Sequence, residues 1–113
     1  MGNTNWLNDN SKQLFKALSS INNEKDMANF CRDLMTEGEI EELSGRWQVA
    51  KLLERGFPQR KVSEKTGVSI ATVTRVNQWL NRGMNGYKKV ISLNNNKTNQ
   101  KSHIHSKAGI VVL

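Results

Sequence analysis

A chain of 113 residues is long enough for one small domain, and its formal net charge is +7 at neutral pH. Low aromatic content and a single proline favour helices over a β-sandwich or barrel. No apolar stretch of about 20 residues and no secretory signal is visible, so we expect no membrane span and a cytoplasmic location. The single Cys31 cannot form an intrachain disulfide, which fits a reducing compartment.

The charge is divided unevenly along the chain. Residues 1–45 carry four Lys/Arg against eight Asp/Glu, a net of −4, whereas residues 46–90 carry ten against two, a net of +8. A solvated basic face is a common explanation for such a segment. A cluster of basic residues around one motif is also typical of a protein that binds phosphates and releases their counterions.

The N-terminal third predicts two amphipathic helices. Residues 1–10 are polar, and we expect a flexible N-terminus there. A first helix starts at Ser11, and a second runs from about Glu24 to Met35. Their apolar stripes contain Leu14, Phe15, Leu18 and Ile21 in the first helix and Met27, Phe30, Cys31 and Leu34 in the second. Cys31 is expected to pack as a small apolar residue, since no histidine suited to a catalytic pair is nearby.

A third helix is predicted to begin with a capping box, in which Thr36 is the cap and Glu39 lies three residues later. The acidic run that follows complements the positive end of the helix dipole, so we interpret it as a solvated segment and not as a metal or acid–base site. The helix is expected to stop at Gly56, and Pro58 then opens the next one.

A helix-turn-helix is predicted for residues Gln59 to Val76, which have the sequence QRKVSEKTGVSIATVTRV. Gly67 can adopt the left-handed conformation of the turn, and the small Ser63 allows close crossing of the two helices. Ser69 is placed to cap the second helix. Val62, Val68, Val73 and Val76 supply the apolar anchors. A glycine turn between two helices also occurs in hairpins that bind no DNA, but the register of these residues favours a DNA-binding motif.

The C-terminal segment predicts one last short helix over residues 86–93, followed by a flexible basic tail over residues 94–113. His103 and His105 alternate but have no further ligands nearby, so we expect no metal. We also find no nucleophile–base pair and no phosphate-binding glycine loop. The sequence therefore predicts no catalytic residues, no cofactor and no enzyme activity.

The chain resembles the Trp repressor family, and within it the YerC/YecD group. The resemblance covers about residues 10–92. It rests on the entry Leu34-Met35-Thr36 with the acidic run and Leu43, on Arg46, and on the segment 69–75, SIATVTR. The stretch from Arg75 to Gly83, followed by Tyr87-Lys88, is similar to the YerC-like group in particular.

This resemblance implies an all-α protomer of about six helices over residues 11–93 that forms an intertwined homodimer. A chain of this size has too little core to bury several apolar stripes alone, which agrees with a dimer. Two-fold symmetry would place two recognition helices about one DNA turn apart on a palindromic site.

The resemblance also implies a corepressor pocket formed by Met35, Thr36, Arg46, Arg75 and Val76. Arg46 matches the arginine over the bound indole, Arg75 matches the one that holds the ligand carboxylate, and Thr72 matches a threonine at the same pocket. The family's glycine after the second arginine is replaced by Val76. Trp79 also stands where the family has a small residue. Trp79 either fills the ring space as a built-in substitute or packs as ordinary core, and in both cases we expect no tryptophan response.

The helix-turn-helix assigns roles to ten residues in binding double-stranded DNA. We expect Gln59, Arg60, Lys61 and Lys65 to contact phosphates without reading sequence. Ile70, Ala71 and Thr74 are expected to face base edges. The set is completed by residues at the start of the recognition helix and at the pocket, namely Ser69, Thr72 and Arg75.

The sequence therefore predicts a sequence-specific DNA-binding transcriptional regulator, acting as a repressor. One alternative is an accessory DNA-binding module of a mobile element or of a larger transcription machine. Another is a protein-interaction module whose basic face is incidental.

Overall fold

The computed structural model describes residues 5–105 and, within them, the side chains of residues 5–96. Its six α-helices are α1 Asp9–Ser19, α2 Glu24–Leu34, α3 Glu37–Glu54, α4 Gln59–Thr66, α5 Ile70–Arg82 and α6 Gly86–His105. The described part of the chain contains no strand, so the all-α prediction is confirmed. The chain divides between Glu41 and Glu42 into two compact units.

Side-chain caps fix the starts of the helices in the first unit. Asn8 and Ser11 form a reciprocal capping box, so α1 begins at Asp9 and the predicted start at Ser11 was wrong. Ser11 is the residue that closes the box. Asn23 caps α2 by accepting the backbone N–H of Asp26 at 2.8 Å. Each cap satisfies a backbone donor that has no partner within its helix.

The apolar stripes of α1 and α2 are only partly covered. Neither helix contains a buried residue. Phe15 is 42% exposed and Leu34 is 47% exposed, and the exposed Trp6 meets Phe15 edge to face at 6.1 Å between ring centroids. Exposed apolar side chains on both helices are typical of a surface that binds another protein chain.

The predicted capping box at the start of α3 is confirmed. Thr36 Oγ1 accepts the N–H of Glu39 at 3.1 Å, and Glu39 Oε1 accepts the N–H of Thr36 at 2.9 Å. Further along the helix, Val49 and Ala50 are fully buried. These two residues lie in the second unit, where they pack against the helix-turn-helix.

The turn between α4 and α5 has the predicted backbone conformation. Gly67 ends α4 with φ 75°, in the left-handed region, where a side chain would be strained. Ser63 Oγ donates to the carbonyl of Val68 at 2.7 Å, and Thr66 Oγ1 accepts the N–H of Val68 at 3.1 Å. Ser69 then caps α5 by accepting the N–H of Thr72 at 3.2 Å, as predicted.

Five small apolar residues form the core of the second unit. Three of them come from the helix-turn-helix and two from α3, and all are 0% exposed: Val49, Ala50, Val62, Val73 and Val76. Valine has one strongly preferred rotamer in a helix, so these residues form a well-ordered contact between α3, α4 and α5.

The last helix is longer than predicted. We expected it to end at Leu93, but α6 continues to His105, so that boundary was wrong. No glycine or proline interrupts the segment after Gly86 up to His105, and asparagine disfavours a helix only weakly. The rest of the predicted basic tail, residues 106–113, lies outside the described residues, as do the first four residues of the predicted flexible N-terminus.

Candidate nucleic-acid interface

The predicted recognition helix α5 has one buried face and one open face. Val73 and Val76 are fully buried and Leu80 nearly so. Ile70, Ala71 and Thr74 are exposed and share the opposite face at helical spacing. Packing on the core therefore leaves the first two turns of α5 accessible, which is the part of a recognition helix that enters a major groove.

A chain of hydrogen bonds links the start of α5 to its second turn. Ser69 Oγ donates to Thr72 Oγ1 at 3.1 Å, and Arg75 Nη2 donates to the same Thr72 oxygen at 3.1 Å. The Arg75 guanidinium thus lies along its own helix. Thr72, assigned from sequence to both DNA contact and pocket, is half-buried and engaged locally.

A second hydrogen bond joins the two helices of the motif across their open side. Thr74 Oγ1 donates to Gln59 Oε1 at 2.9 Å. Gln59 is the first residue of α4, and it is half-buried, whereas Thr74 is exposed. Two residues that the sequence assigned to different tasks, phosphate contact and base contact, are therefore held side by side.

The start of α4 presents backbone donors next to basic side chains. Pro58 precedes the helix and provides no side-chain cap, so the first N–H groups of α4 have no side-chain acceptor from the cap position. Arg60 and Lys61 are exposed on the same turn. A helix N-terminus flanked by cations is the usual arrangement for a phosphate contact.

Lys65 sits apart from that turn. Its Nζ lies 5.3 Å from the centroid of the Phe57 ring, and the Arg55 guanidinium lies 5.4 Å from the same centroid. The two cations therefore both contact Phe57 in the connection between α3 and α4. Of the four residues predicted to contact phosphate, Lys65 is the one placed at the C-terminal end of α4.

Arg46 and Trp79 meet within the second unit. The Arg46 guanidinium lies 5.3 Å from the centroid of the Trp79 ring, and its Nη2 forms an ion pair with Glu42 Oε2 at 2.8 Å. Arg46 Nε is buried and has no hydrogen-bond partner. The arginine expected to cover a bound indole thus covers an indole of its own chain.

A cavity of about 550 Å³ opens beside this contact. Its lining is almost wholly apolar and consists of Trp47, Trp79, Gly83, Met84, Gly86, Tyr87 and Val90. The rings of Trp47 and Tyr87 are stacked, with 6.4 Å between centroids. Burial raises the pKa of the Tyr87 hydroxyl above 10.0, and the nearby Arg46 charge partly offsets this effect.

The remaining residues of the predicted corepressor pocket are found in both units. Met35 and Thr36 belong to the first unit, and Thr36 is occupied as the cap of α3. Arg75 and Val76 belong to the second unit, where Val76 is fully buried in the core. The branched Val76 side chain therefore fills space that a glycine at this position would leave open.

Two features of the interface were not predicted from sequence. The Gln59–Thr74 bond joins positions 15 residues apart, and no local pattern indicates it. The apolar cavity lies between α3, the end of α5 and the start of α6. The sequence interpretation did not bring its lining residues Trp47, Met84 and Val90 together. The segment after Trp79 contains more large apolar residues than so short a segment can bury, and this excess could have indicated the cavity.

The described residues form no metal-binding cluster and no helix suited to cross a membrane. Residues 5–96 contain no group of three or more His, Cys, Asp or Glu side chains placed to hold a metal ion, and the side chains of His103 and His105 lie outside that range. No helix in the described part of the chain is long and apolar enough to cross a membrane.

Comparisons with known proteins agree on one family. The family model for the Trp repressor protein matches residues 9–95. The uncharacterized protein YerC of Bacillus subtilis is 37% identical over 75 residues, which cover 66% of this chain and 72% of that protein.

Two solved structures are similar as well. The first is a TrpR-like protein from Eubacterium eligens, with a TM-score of 0.75, 38% identity and coverage of 80% of this chain and 93% of that one. The second is a candidate Trp repressor from Staphylococcus aureus, with a TM-score of 0.76, 30% identity and coverage of 84% and 96%. Sequence and fold thus agree, and the chain belongs to the Trp repressor family, a family of DNA-binding regulators.

Proposed function

We propose that this chain is a sequence-specific regulator of transcription that binds double-stranded DNA and represses the genes next to its sites. The observation that carries the proposal is the division of α5 into a buried valine face and an exposed face with Ile70, Ala71 and Thr74. Short side chains of this kind read bases by methyl and hydroxyl contacts, aided by water and by DNA shape.

The basic charge of residues 46–90 supports the same function. Arg60 and Lys61 stand beside the uncapped start of α4, where a phosphate would satisfy both the side chains and the backbone N–H groups. Such contacts position a protein on DNA without selecting a sequence, so affinity would fall steeply with salt.

Selection of bound sites from a random DNA pool tests binding and specificity together. We expect an enriched palindromic motif with two half-sites about one helical turn apart. A pool that returns no enriched sequence contradicts sequence-specific binding. A gel shift with random DNA at two salt concentrations separates a weak general binder from a protein-interaction module, because only the former shows a shift with a salt slope. A reporter gene downstream of the selected site then tests the sign of regulation.

A homodimer is the second part of the proposal. Its support is the exposed apolar surface of α1 and α2, represented by Phe15 and Leu34, together with the open aromatic cavity of the second unit. A second copy of the chain is the natural cover for such surfaces, since one chain of this size buries few large side chains. Sedimentation equilibrium is expected to give twice the protomer mass, and a monomer at micromolar concentration would contradict this.

Absence of a tryptophan response is the third part. Val76 fills the core where the family's ligand-binding members keep glycine, and Trp79 already lies under Arg46. Both observations support DNA binding that does not depend on tryptophan. We also propose that the chain has no catalytic activity and works in the cytoplasm.

An accessory module of a mobile element or of a larger transcription machine stays the alternative function. Such a module would need partner proteins to find its site. The purified chain alone returning a palindromic motif would favour the regulator, whereas a motif that appears only with an added partner would favour the module.

A further inference from the structure

The hydrogen bond between Gln59 and Thr74 has a consequence for which base the motif reads. Thr74 is exposed on the open face of α5, and its hydroxyl donates to the Gln59 side-chain oxygen at 2.9 Å. Gln59 is half-buried at the start of α4, and this bond holds its amide in place. The two side chains therefore form one preorganised group.

The bond fixes the hydrogen-bonding pattern that the pair presents outward. With the hydroxyl proton used on Gln59 Oε1, the Gln59 Nε2 keeps two N–H donors and Thr74 Oγ1 keeps acceptor lone pairs. If the amide is rotated, Nε2 donates to the threonine oxygen, and the outward pattern becomes a carbonyl acceptor beside a hydroxyl donor. Either way the pair presents a donor hydrogen next to an acceptor oxygen.

The major-groove edge of adenine has the complementary pattern. Adenine presents the N7 acceptor next to the N6 amino donor, whereas guanine presents two acceptors, N7 and O6. We propose that Gln59 and Thr74 together hydrogen-bond to adenine in each half-site, an inference that rests on the proposed function. Gln59 is then a specificity-determining residue and not a phosphate contact.

The flanks of the pair agree with this assignment. Ile70 and Ala71, one turn before Thr74, place apolar groups on the same exposed face, where they suit the methyl group of thymine. Arg60 and Lys61 follow Gln59 on α4 and are exposed. They can therefore contact the phosphates of the DNA backbone.

The test is random-pool selection with sequencing, applied to the full chain and to matched variants. These are Gln59→Leu, Thr74→Val, the double variant, Thr74→Ser as the conservative control and Lys61→Ala as the phosphate-contact control. Wild type is expected to select adenine at one position of each half-site. Gln59→Leu and Thr74→Val are each expected to lower the preference for adenine over guanine at that position by roughly ten-fold.

The double variant is expected to lose no more than the larger single loss, because the two residues act as one group. Thr74→Ser is expected to keep the preference, and Lys61→Ala to lower affinity for all sequences alike. Circular dichroism melting checks each fold, and Thr74→Ala replaces Thr74→Val if the latter does not fold.

Three results would overturn the inference while leaving the proposed function intact. They are a uniform loss across all sequences for Gln59→Leu, a selected base other than adenine at the affected position, and additive losses in the double variant. A wild-type selection that returns no motif overturns the proposed function and this inference with it.

Discussion

The Arg46 guanidinium lies over the Trp79 indole at 5.3 Å from the ring centroid, and its Nη2 also forms a 2.8 Å ion pair with Glu42. Arg46 and Glu42 are on α3 and Trp79 is on α5, so this contact ties the recognition helix to the helix beneath it. An arginine stacked in this way is no longer free to cover an added ring. The contact thus has consequences for both stability and ligand response.

Replacing Arg46 with methionine is expected to lower the free energy of unfolding by about 1 kcal/mol. A partly exposed cation–π contact contributes ~0.5–1 kcal/mol, and the ion pair to Glu42 adds a smaller amount. Glu42→Gln removes only the ion pair, so its effect is expected to stay near ~0.3 kcal/mol. Urea unfolding at one fixed protein concentration measures both, and equal losses for the two variants would show that Trp79 contributes nothing.

Tryptophan is expected to leave the melting temperature of the wild-type protein unchanged. Val76 is buried in the core, and the Arg46 face that the resemblance assigns to a bound indole is already taken by Trp79. A ligand that binds only the folded state raises its stability by mass action, so thermal melting at millimolar tryptophan is a sensitive assay. Alanine at the same concentration is the control, and a clear rise with tryptophan alone would contradict the prediction.

Lys61→Ala is expected to weaken DNA binding for all sequences and to flatten the dependence of log affinity on log salt by about one unit. Lys61 is exposed on the first turn of α4, beside the uncapped backbone. Lys12, exposed on α1 in the acidic part of the chain, supplies the matched control Lys12→Ala. Equal salt slopes for the two variants would remove Lys61 from the interface.

Gly67→Ala is expected to destabilise the fold by ~1–2 kcal/mol, because the residue has φ 75° and a side chain is strained in that region. Gly86 opens α6 without a positive φ, and an added Cβ meets nothing within 4 Å. Gly86→Ala is therefore expected to be neutral or stabilising. Thermal unfolding compares the two, and a Gly67→Ala variant as stable as the wild type would mean that the turn tolerates a side chain.

Tyr87 is the single tyrosine, so its ionisation is visible in the ultraviolet absorbance of phenolate. Burial raises its pKa above 10.0, and the Arg46 charge works against that shift. The folded state then holds the proton more tightly than the unfolded state. The stability contributed by neutral Tyr87 is full below pH 10 and is lost as pH rises through the higher folded pKa.

Arg46→Met is expected to raise the pKa of Tyr87 further, since it removes the opposing charge. Arg55→Met is the control, because Arg55 contacts Phe57 instead. Identical titration curves for the wild type and Arg46→Met would contradict the proximity of the charge to the phenol.

Local features of the fold were predictable because their causes lie within four residues. The Thr36–Glu39 capping box, the left-handed Gly67 and the Ser69 cap each depend on a short pattern, and all three are confirmed. The burial of Val73 and Val76 followed from helical spacing. These residues were enough to identify the motif and its orientation on the core.

Contacts between distant residues were not predictable in the same way. The Gln59–Thr74 bond and the placement of Trp47 against Tyr87 depend on the angle between helices, which no spacing rule supplies. The end of α6 was predicted wrongly because too much weight was given to local composition. Composition alone suggested a break after Leu93, but weak helix propensity does not stop a helix when no breaker follows.

The turn of the reading motif is already complete without DNA. Ser63 and Thr66 hydroxyls satisfy the backbone of Val68 from inside the motif, so no phosphate is needed to shape it. A segment that is ordered beforehand loses little conformational entropy on association. We therefore expect the proposed DNA binding to join surfaces that are already formed, with a heat-capacity change set by the area buried and not by folding of the turn.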